Sequence, residues 1–174
     1  MIETFVADLI AAKKKFFHFT DERNLDSIRT HGLLSLRELR RSGIAIAAPG
    51  GNYLSWKLDE DLGMDAFVHL CLRRNHPMAR AATQDGRITT LRYLKICPKV
   101  ALLPGVEATL DVANKTGVRR YPVSEAVQNA DFDKEVLYTQ TDWNDPQIQD
   151  RLQRAERYEL LVPNHIPIEY IVGL

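Results

Sequence analysis

The sequence predicts an α+β fold, and three observations carry that prediction. Apolar residues at helical spacing come first, with Ile2, Phe5, Val6, Leu9 and Ile10 recurring on one helix face. Strand-like runs dominate the second half and close the chain in RYELLV (157–162) and IEYIVG (168–173). Regular strand–helix alternation, the mark of parallel βαβ units, is missing. The 174 residues suit a single domain, 1–174. With 45% hydrophobic and 26% charged residues, the chain can bury a core without a disulfide or metal staple.

The elements follow in order. The first helix is expected over 2–14, and the aromatic run KFFHF (15–19) reads as a strand. Thr20 or Asp21 can cap a helix over 21–31 that buries Leu25 and Ile28 and stops at Gly32. SLRELRRS (35–42) reads as a short helix, and 43–56, with Pro49, Gly50, Gly51 and Asn52, as a loop. AFVHLCLR (66–73) alternates: Val68, Leu70 and Leu72 share one face, and Phe67, His69, Cys71 and Arg73 share the other. A further strand is expected over 88–96, with 99–103 continuing it past Pro98. Residues 123–129 and 145–156 suit helices, and two strands end the chain, joined through Pro163, Asn164, His165 and Pro167.

Composition excludes several classes. Lys plus Arg is 23 and Asp plus Glu is 23, so the net charge is zero and the chain is no uniformly basic nucleic-acid coat. Cys71 and Cys97 form no C-x-x-C pair. The lysines of MIETFVADLIAAKKK follow its apolar run, the reverse of a secretory signal, and no run approaches a membrane span. A cytoplasmic protein with no membrane partner is therefore expected. Dinucleotide, P-loop, zinc-protease and hydrolase-elbow fingerprints are all missing.

Several residues have chemistry that pattern alone leaves open. His69 and Cys71 share a strand face, but no neighbouring motif supplies further ligands; they read as packed side chains, and no metal is expected. Asp59-Glu60-Asp61, Asp131 and Asp133 read as solvated surface charge. Glu159 interrupts an apolar strand, so it faces either solvent from an edge strand or a cleft. His18, in an aromatic strand, reads on pattern alone as a satisfied structural histidine; alternatively His18 and Thr20, two apart and on one face, together can grip a hydroxyl-bearing ligand such as a ribose. Arginines gather at 37, 40 and 41, at 73 and 74, and at 119, 120, 151, 154 and 157; lining one groove, they would neutralise phosphates.

FFHFTDERNLDSIRTHGLLS (16–35) resembles the opening of the DarT-type DNA ADP-ribosyltransferase toxins. In that family an aromatic-His-x-Thr strand leads into an N-L-x-x-I-x-x-x-G-L-L helix; His18, Thr20, Asn24, Leu25, Ile28, Gly32, Leu33 and Leu34 match it. Phe67 and Val68, then Pro77 and Met78, resemble the next landmark. RYELLVPNHIPIEYI (157–171) resembles the last, with Tyr158 in place of alanine.

The resemblance implies an ADP-ribosyltransferase-like split two-sheet core that binds NAD in the cleft, flanked by helices. It implies a toxin or defence enzyme that moves ADP-ribose from NAD to a nucleobase of single-stranded DNA, reversed by a macrodomain antitoxin. RNA or protein acceptors, or an inactive NAD-binding module, remain open. His18, Thr20 and Asn24 are then NAD-binding residues and Glu159 the catalytic carboxylate. The family arginine before the Phe67 strand has no counterpart in NYLSWKLDEDL (52–62), where Lys57 is the nearest cation and the candidate replacement. Cys71 stands where members carry a nicotinamide-stacking tyrosine, so Tyr53, Trp56 or Phe67 is left to supply the ring.

Overall fold

A computed structural model describes residues 1–51 and 53–174, the side chains of Tyr53 and Ser55 excepted. Its first helix, α1 (Ile2–Ala11), forms because Phe5, Val6 and Leu9 fall on one stripe, and all three are buried. Each such side chain stabilises the fold by roughly 1.5–3 kcal/mol. The helix ends earlier than its periodicity predicts, and Lys13 takes a positive φ of 55°. Strand β1 (Phe16–Asp21) follows, then a 3-10 turn (Glu22–Asn24) and α2 (Leu25–His31). Asp21 ends β1 almost fully buried and takes hydrogen bonds from Arg23, Thr89 and Thr90. Arg23, the largest influence, holds its carboxyl well below the usual range.

A short β2 (Leu33–Leu34) leads to α3 (Leu36–Arg41), capped by Ser35 Oγ, which accepts from the Glu38 N–H at 3.3 Å. The sequence reading of 43–56 as a loop fails at its end: α4 (Tyr53–Asp61) starts there. A 3-10 turn (Met64–Ala66) precedes β3 (Phe67–Cys71). Helix α5 (Pro77–Gln84), unforeseen, starts with Pro77 in its first turn, where a missing N–H costs nothing. Strand β4 (Leu91–Ile96) ends before Pro98, and 98–102 is a 3-10 helix instead of the expected continuation.

Two short strands also escaped the sequence reading, β5 (Glu107–Thr109) and β6 (Arg120–Pro122); three residues are too few for a period to show. Then come α6 (Val123–Gln128), α7 (Lys134–Tyr138) and α8 (Pro146–Ala155). Strands β7 (Glu159–Pro163), β8 (His165–Ile166) and β9 (Ile171–Val172) end the chain, with residues 168–170 a 3-10 turn where strand was expected.

The α+β class and the division into two sheets follow the expectation, with very unequal sheets. Seven antiparallel strands run in the order β6-β5-β7-β3-β1-β4-β9, and β2 pairs with β8 alone. Phe16, Leu70, Ile96 and Leu160 anchor the core, each essentially inaccessible to solvent. One feature of the ladder positions the site. β3 pairs with β7 along its whole length, from Phe67 to Cys71, and β1 pairs with β4 from Phe16 to Asp21. β1 and β3, although neighbours, pair only at Phe17–Cys71 and then part. The gap between them opens into a cavity.

Candidate active site

The cavity has a volume of about 250 Å³ and lies where β1 and β3 diverge, roofed by the 45–51 loop and α4. His18, Thr20 and Asn24 line it from β1 and the turn beyond; Phe67 and His69 line it from β3, and Glu159 from β7. Residues 141 positions apart in sequence therefore face one hollow.

Glu159 heads β7, between Cys71 of β3 and Thr109 of β5 in register. Alternation along β7 sends Leu160 and Val162 to the core and Glu159 to the cavity side. The strand is internal to the sheet, so of the two readings left open by pattern, the cleft is the one observed. Glu159 is 4% exposed, and two imidazoles hold its carboxylate. His69 Nδ1 lies 2.9 Å from Oε2. His76 Nε2 lies 3.0 Å from Oε1, at ion-pair distance but out of line for a good hydrogen bond. The Met78 N–H donates to His76 Nδ1 at 3.3 Å, so the His76 proton sits on Nε2, facing the carboxylate. Phe19 stacks on the His76 ring, 5.9 Å between centroids.

His69 donates at both ends. Its Nε2 reaches the Met64 carbonyl at 3.1 Å while Nδ1 reaches Glu159, an arrangement only the doubly protonated ring satisfies. Burial alone would push its pKa down, but the Glu159 hydrogen bond and charge outweigh it and hold it at about 9. Burial would raise the Glu159 pKa; hydrogen bonds and charge from His69 and His76 reverse this and bring it down to about 2. The site at neutral pH is thus an ionised carboxylate against an imidazolium.

His18 bridges the split between the strands. Its Nδ1 donates to the His69 carbonyl at 3.0 Å, leaving Nε2 as an acceptor. Burial lowers its pKa, so the ring is neutral. Thr20 and Asn24 form a unit: the Asn24 amide donates to Thr20 Oγ1 at 3.0 Å and to the Ala48 carbonyl at 2.7 Å, and its oxygen accepts from the Ala48 N–H at 2.9 Å. Asn24 therefore spends its amide on pinning the loop against β1, not on a ligand.

The other sequence candidates fall differently. Phe67 lines the cavity and carries the Arg120 guanidinium 5.4 Å from its ring centre. Cys71 shares the Glu159 face of the sheet but is 3% exposed and outside the cavity lining; burial and the Glu159 charge push its thiol up. Lys57 is exposed on α4 and also lies outside the lining, where its neighbours Trp56 and Asp59 take part. The geometry does not bring Lys57 or Cys71 to the cavity wall. The Tyr53 ring lies outside the described residues. No arginine or lysine lines the cavity among the described residues, and Arg37 and Arg151 are spent on Asp65 and Asp133. Nor does any cluster of three or more His, Cys, Asp or Glu among them suit a metal ion.

Sequence reasoning assigns no function to three cavity residues: His69 reads as a packed side chain, Asp59 as solvated charge, and His76 is not singled out. His69 carried a signal, since it shares a strand face with Phe67 and Cys71, but nothing local marks a partner 90 positions away. His76 has no reading beyond its place before Pro77, and it caps α5, a helix the sequence does not lead one to expect.

A family profile described as DarT, ssDNA thymidine ADP-ribosyltransferase, matches residues 17–174. The chain belongs to the DarT family. DarT of Thermus sp. 2.9 in complex with ADP-ribosylated ssDNA superposes with a TM-score of 0.66 at 15% identity, covering 91% of this chain and 78% of that one. The Thermus DarT in complex with NAD+ gives 0.58 at 18% identity, covering 91% and 79%. Thermosipho africanus DarTG in complex with ADP-ribose gives 0.62 at 17% identity; 91% of this chain matches only 42% of that one. At such identities the superpositions establish the shared DarT fold. No match to a curated protein sequence was found. No helix among the described residues is long and apolar enough to cross a membrane.

Proposed function

We propose that this chain transfers ADP-ribose from NAD to thymidine in single-stranded DNA, with Glu159 as its catalytic carboxylate. The observation that carries the residue assignment is the ionised, buried Glu159 facing the same cavity as His18 and Thr20. Departure of nicotinamide leaves positive charge on the ribose carbon and ring oxygen, an oxocarbenium-like transition state. A fixed carboxylate stabilises that charge where it develops; preorganised electrostatic groups of this kind contribute on the order of 10²–10³ in rate.

The roles of the other residues follow from their hydrogen-bonding capacity. His18 offers Nε2 as an acceptor and Thr20 a hydroxyl, a pair suited to ribose hydroxyls on the adenosine side. Asn24 keeps that edge in place through the loop. Phe67 and Trp56 supply aromatic surface at the wall for the nicotinamide end. His69 and His76 keep Glu159 ionised and oriented. The acceptor base must leave its stack to reach such a cavity, which favours single strands. The ligands named for the Thermus and Thermosipho structures support the donor and acceptor classes. DNA as substrate fits a cytoplasmic enzyme. A toxin whose mark a macrodomain antitoxin removes is the setting we propose, in line with the DarTG relative.

Incubation with labelled NAD and, in separate reactions, thymidine-containing single strands, thymidine-free single strands, duplex DNA, RNA and a lysate tests this reading. Labelling confined to the first, and abolished by Glu159→Gln in a folded protein, is expected. Labelling of RNA or protein instead moves the acceptor; NAD binding without any transfer makes the chain a binding module. Undiminished labelling by Glu159→Gln overturns the carboxylate assignment.

A further inference from the structure

Transfer to thymidine releases a proton for which the roles given so far provide no acceptor. The ring has one N–H, at N3, because N1 bears the deoxyribose. Whichever base atom joins the ribose carbon, that proton must leave. The new bond forms as the bond to nicotinamide breaks, and the electron pair of the broken bond neutralises the pyridinium. One proton per transfer remains to be taken up.

The ionisable groups around the cavity can be sorted by what they already hold. Glu159 has both oxygens facing imidazoles, which makes it a weak base. His69 donates from both nitrogens and has no lone pair left. His76 accepts at Nδ1 and turns its proton toward Glu159. Asp65 is bound to Arg37 at 2.8 Å, with Arg40 at 3.8 Å. His18 keeps one lone pair, but its burial lowers its affinity for a proton. His31 is exposed at the rim. Asp59 is left.

We propose that Asp59 of α4 accepts the N3 proton of the target thymine, a role that rests on the transfer reaction proposed above. Asp59 lines the cavity together with Glu159 and His69. Its Oδ1 is shielded from solvent yet accepts no hydrogen bond among the described residues, while Asn114, also on the cavity wall, bonds the carboxylate. A buried carboxylate oxygen with an unused lone pair costs stability unless something fills the position. An imide N–H is a donor suited to it. The charged groups that face Asp59 are His69 of β3, Glu159 of β7 and Asp65 of the 64–66 turn. Burial raises its pKa, His69 offsets part of the rise, and the two carboxylates add to it. Asp59 thus holds a proton more readily than Glu159, which is held low. The carboxylate takes the N3 proton as the base bonds to the ribose carbon, then returns it to solvent when the product leaves.

The test compares Asp59→Asn with wild type across pH, measuring labelling of a thymidine single strand and, separately, the thermal shift given by NAD. The Asn variant is expected to bind NAD as wild type does and to label DNA about 100-fold more slowly at neutral pH, the usual scale of a general base. The ratio of variant to wild-type rate should climb toward one as pH rises and the imide ionises unaided. Asp59→Glu, which keeps the carboxylate, should regain part of the rate. A neutral-pH rate equal to wild type, or a deficit constant at every pH, overturns the proposal. Should the Asn variant fail to fold, the Glu variant decides, and absent transfer overturns it. If wild type itself labels no DNA, the transfer reading fails together with it; if only Asp59→Asn behaves as wild type, this role alone fails.

Discussion

His69 and Glu159, 90 positions apart, form a two-ended clamp: His69 Nδ1 meets Oε2 at 2.9 Å while its Nε2 is tied to the Met64 carbonyl at 3.1 Å. The carboxylate therefore cannot rotate without breaking a contact anchored in the turn before β3.

His69→Gln removes the charge and leaves Glu159 short of its counter-ion. With Glu159 buried but the His69 side chain 30% exposed, this destabilises by at most about 3 kcal/mol, and transfer should fall with a rise in the acidic limb of its pH profile. The pair also sets a pH window. His69 is raised from 6.5 to about 9, so its contribution is complete below 6.5 and lost as pH climbs through 9. Glu159 is lowered from 4.5 to about 2, so its contribution is complete above 4.5 and lost as pH falls through 2. Urea unfolding of wild type and variant should differ most between pH 4.5 and 6.5 and converge toward alkaline pH. A difference that stays constant from pH 6.5 to 10 would contradict the clamp.

Asn24→Ala removes the bonds to Thr20 and to both polar groups of Ala48. At about 1 kcal/mol for each of the three hydrogen bonds, stability should drop by roughly 3 kcal/mol. The loop then loosens over the donor site, so the KM for NAD should rise more than kcat falls. Steady-state kinetics beside chemical denaturation check both.

Lys57→Ala should leave DNA labelling within about twofold of wild type, as for an exposed side chain with no partner in the site. Trp56→Ala, on the cavity wall, should weaken NAD binding. A loss of transfer in the Lys57 variant with the Trp56 variant unaffected would reverse this assignment of the helix faces.

Gly32→Ala places a Cβ 2.5 Å from the Ile166 carbonyl and 2.7 Å from His165 Nε2, at a φ of 72°. Neither the left-handed backbone nor the contact between β2 and β8 has room for it. The loss should exceed about 2 kcal/mol and lower Tm by at least ~4 °C, which calorimetry reads directly.

The parts of this fold that the sequence predicts correctly are those with a period. Phe5, Val6 and Leu9 predict α1, and alternation across Val68, Leu70 and Leu72 predicts β3 and its buried face. Strands β5 and β6 are too short for a period to appear, and Ile168–Tyr170 turns in a 3-10 helix despite its strand-like composition. In the site, the motif at 16–35 carried His18 and Thr20 because their neighbours in sequence are their neighbours in space. The clamp was illegible for the opposite reason: His69, His76 and Glu159 meet only through β3–β7 pairing and the N-terminus of α5. Asp59 looked solvated because nothing in its own segment reveals that α4 folds over the cavity.

The single ladder contact between β1 and β3 has a mechanical consequence. One half of the sheet, β1-β4-β9, carries the imidazole of His18; the other, β6-β5-β7-β3, carries the carboxylate. The seam is held by that one ladder pair and by the His18 bond to the His69 carbonyl, while each half keeps its own internal bonds. Widening or narrowing the wedge between them would change the distance between the grip on the dinucleotide and the reacting sugar, so the fold can adjust reach without redesigning either wall.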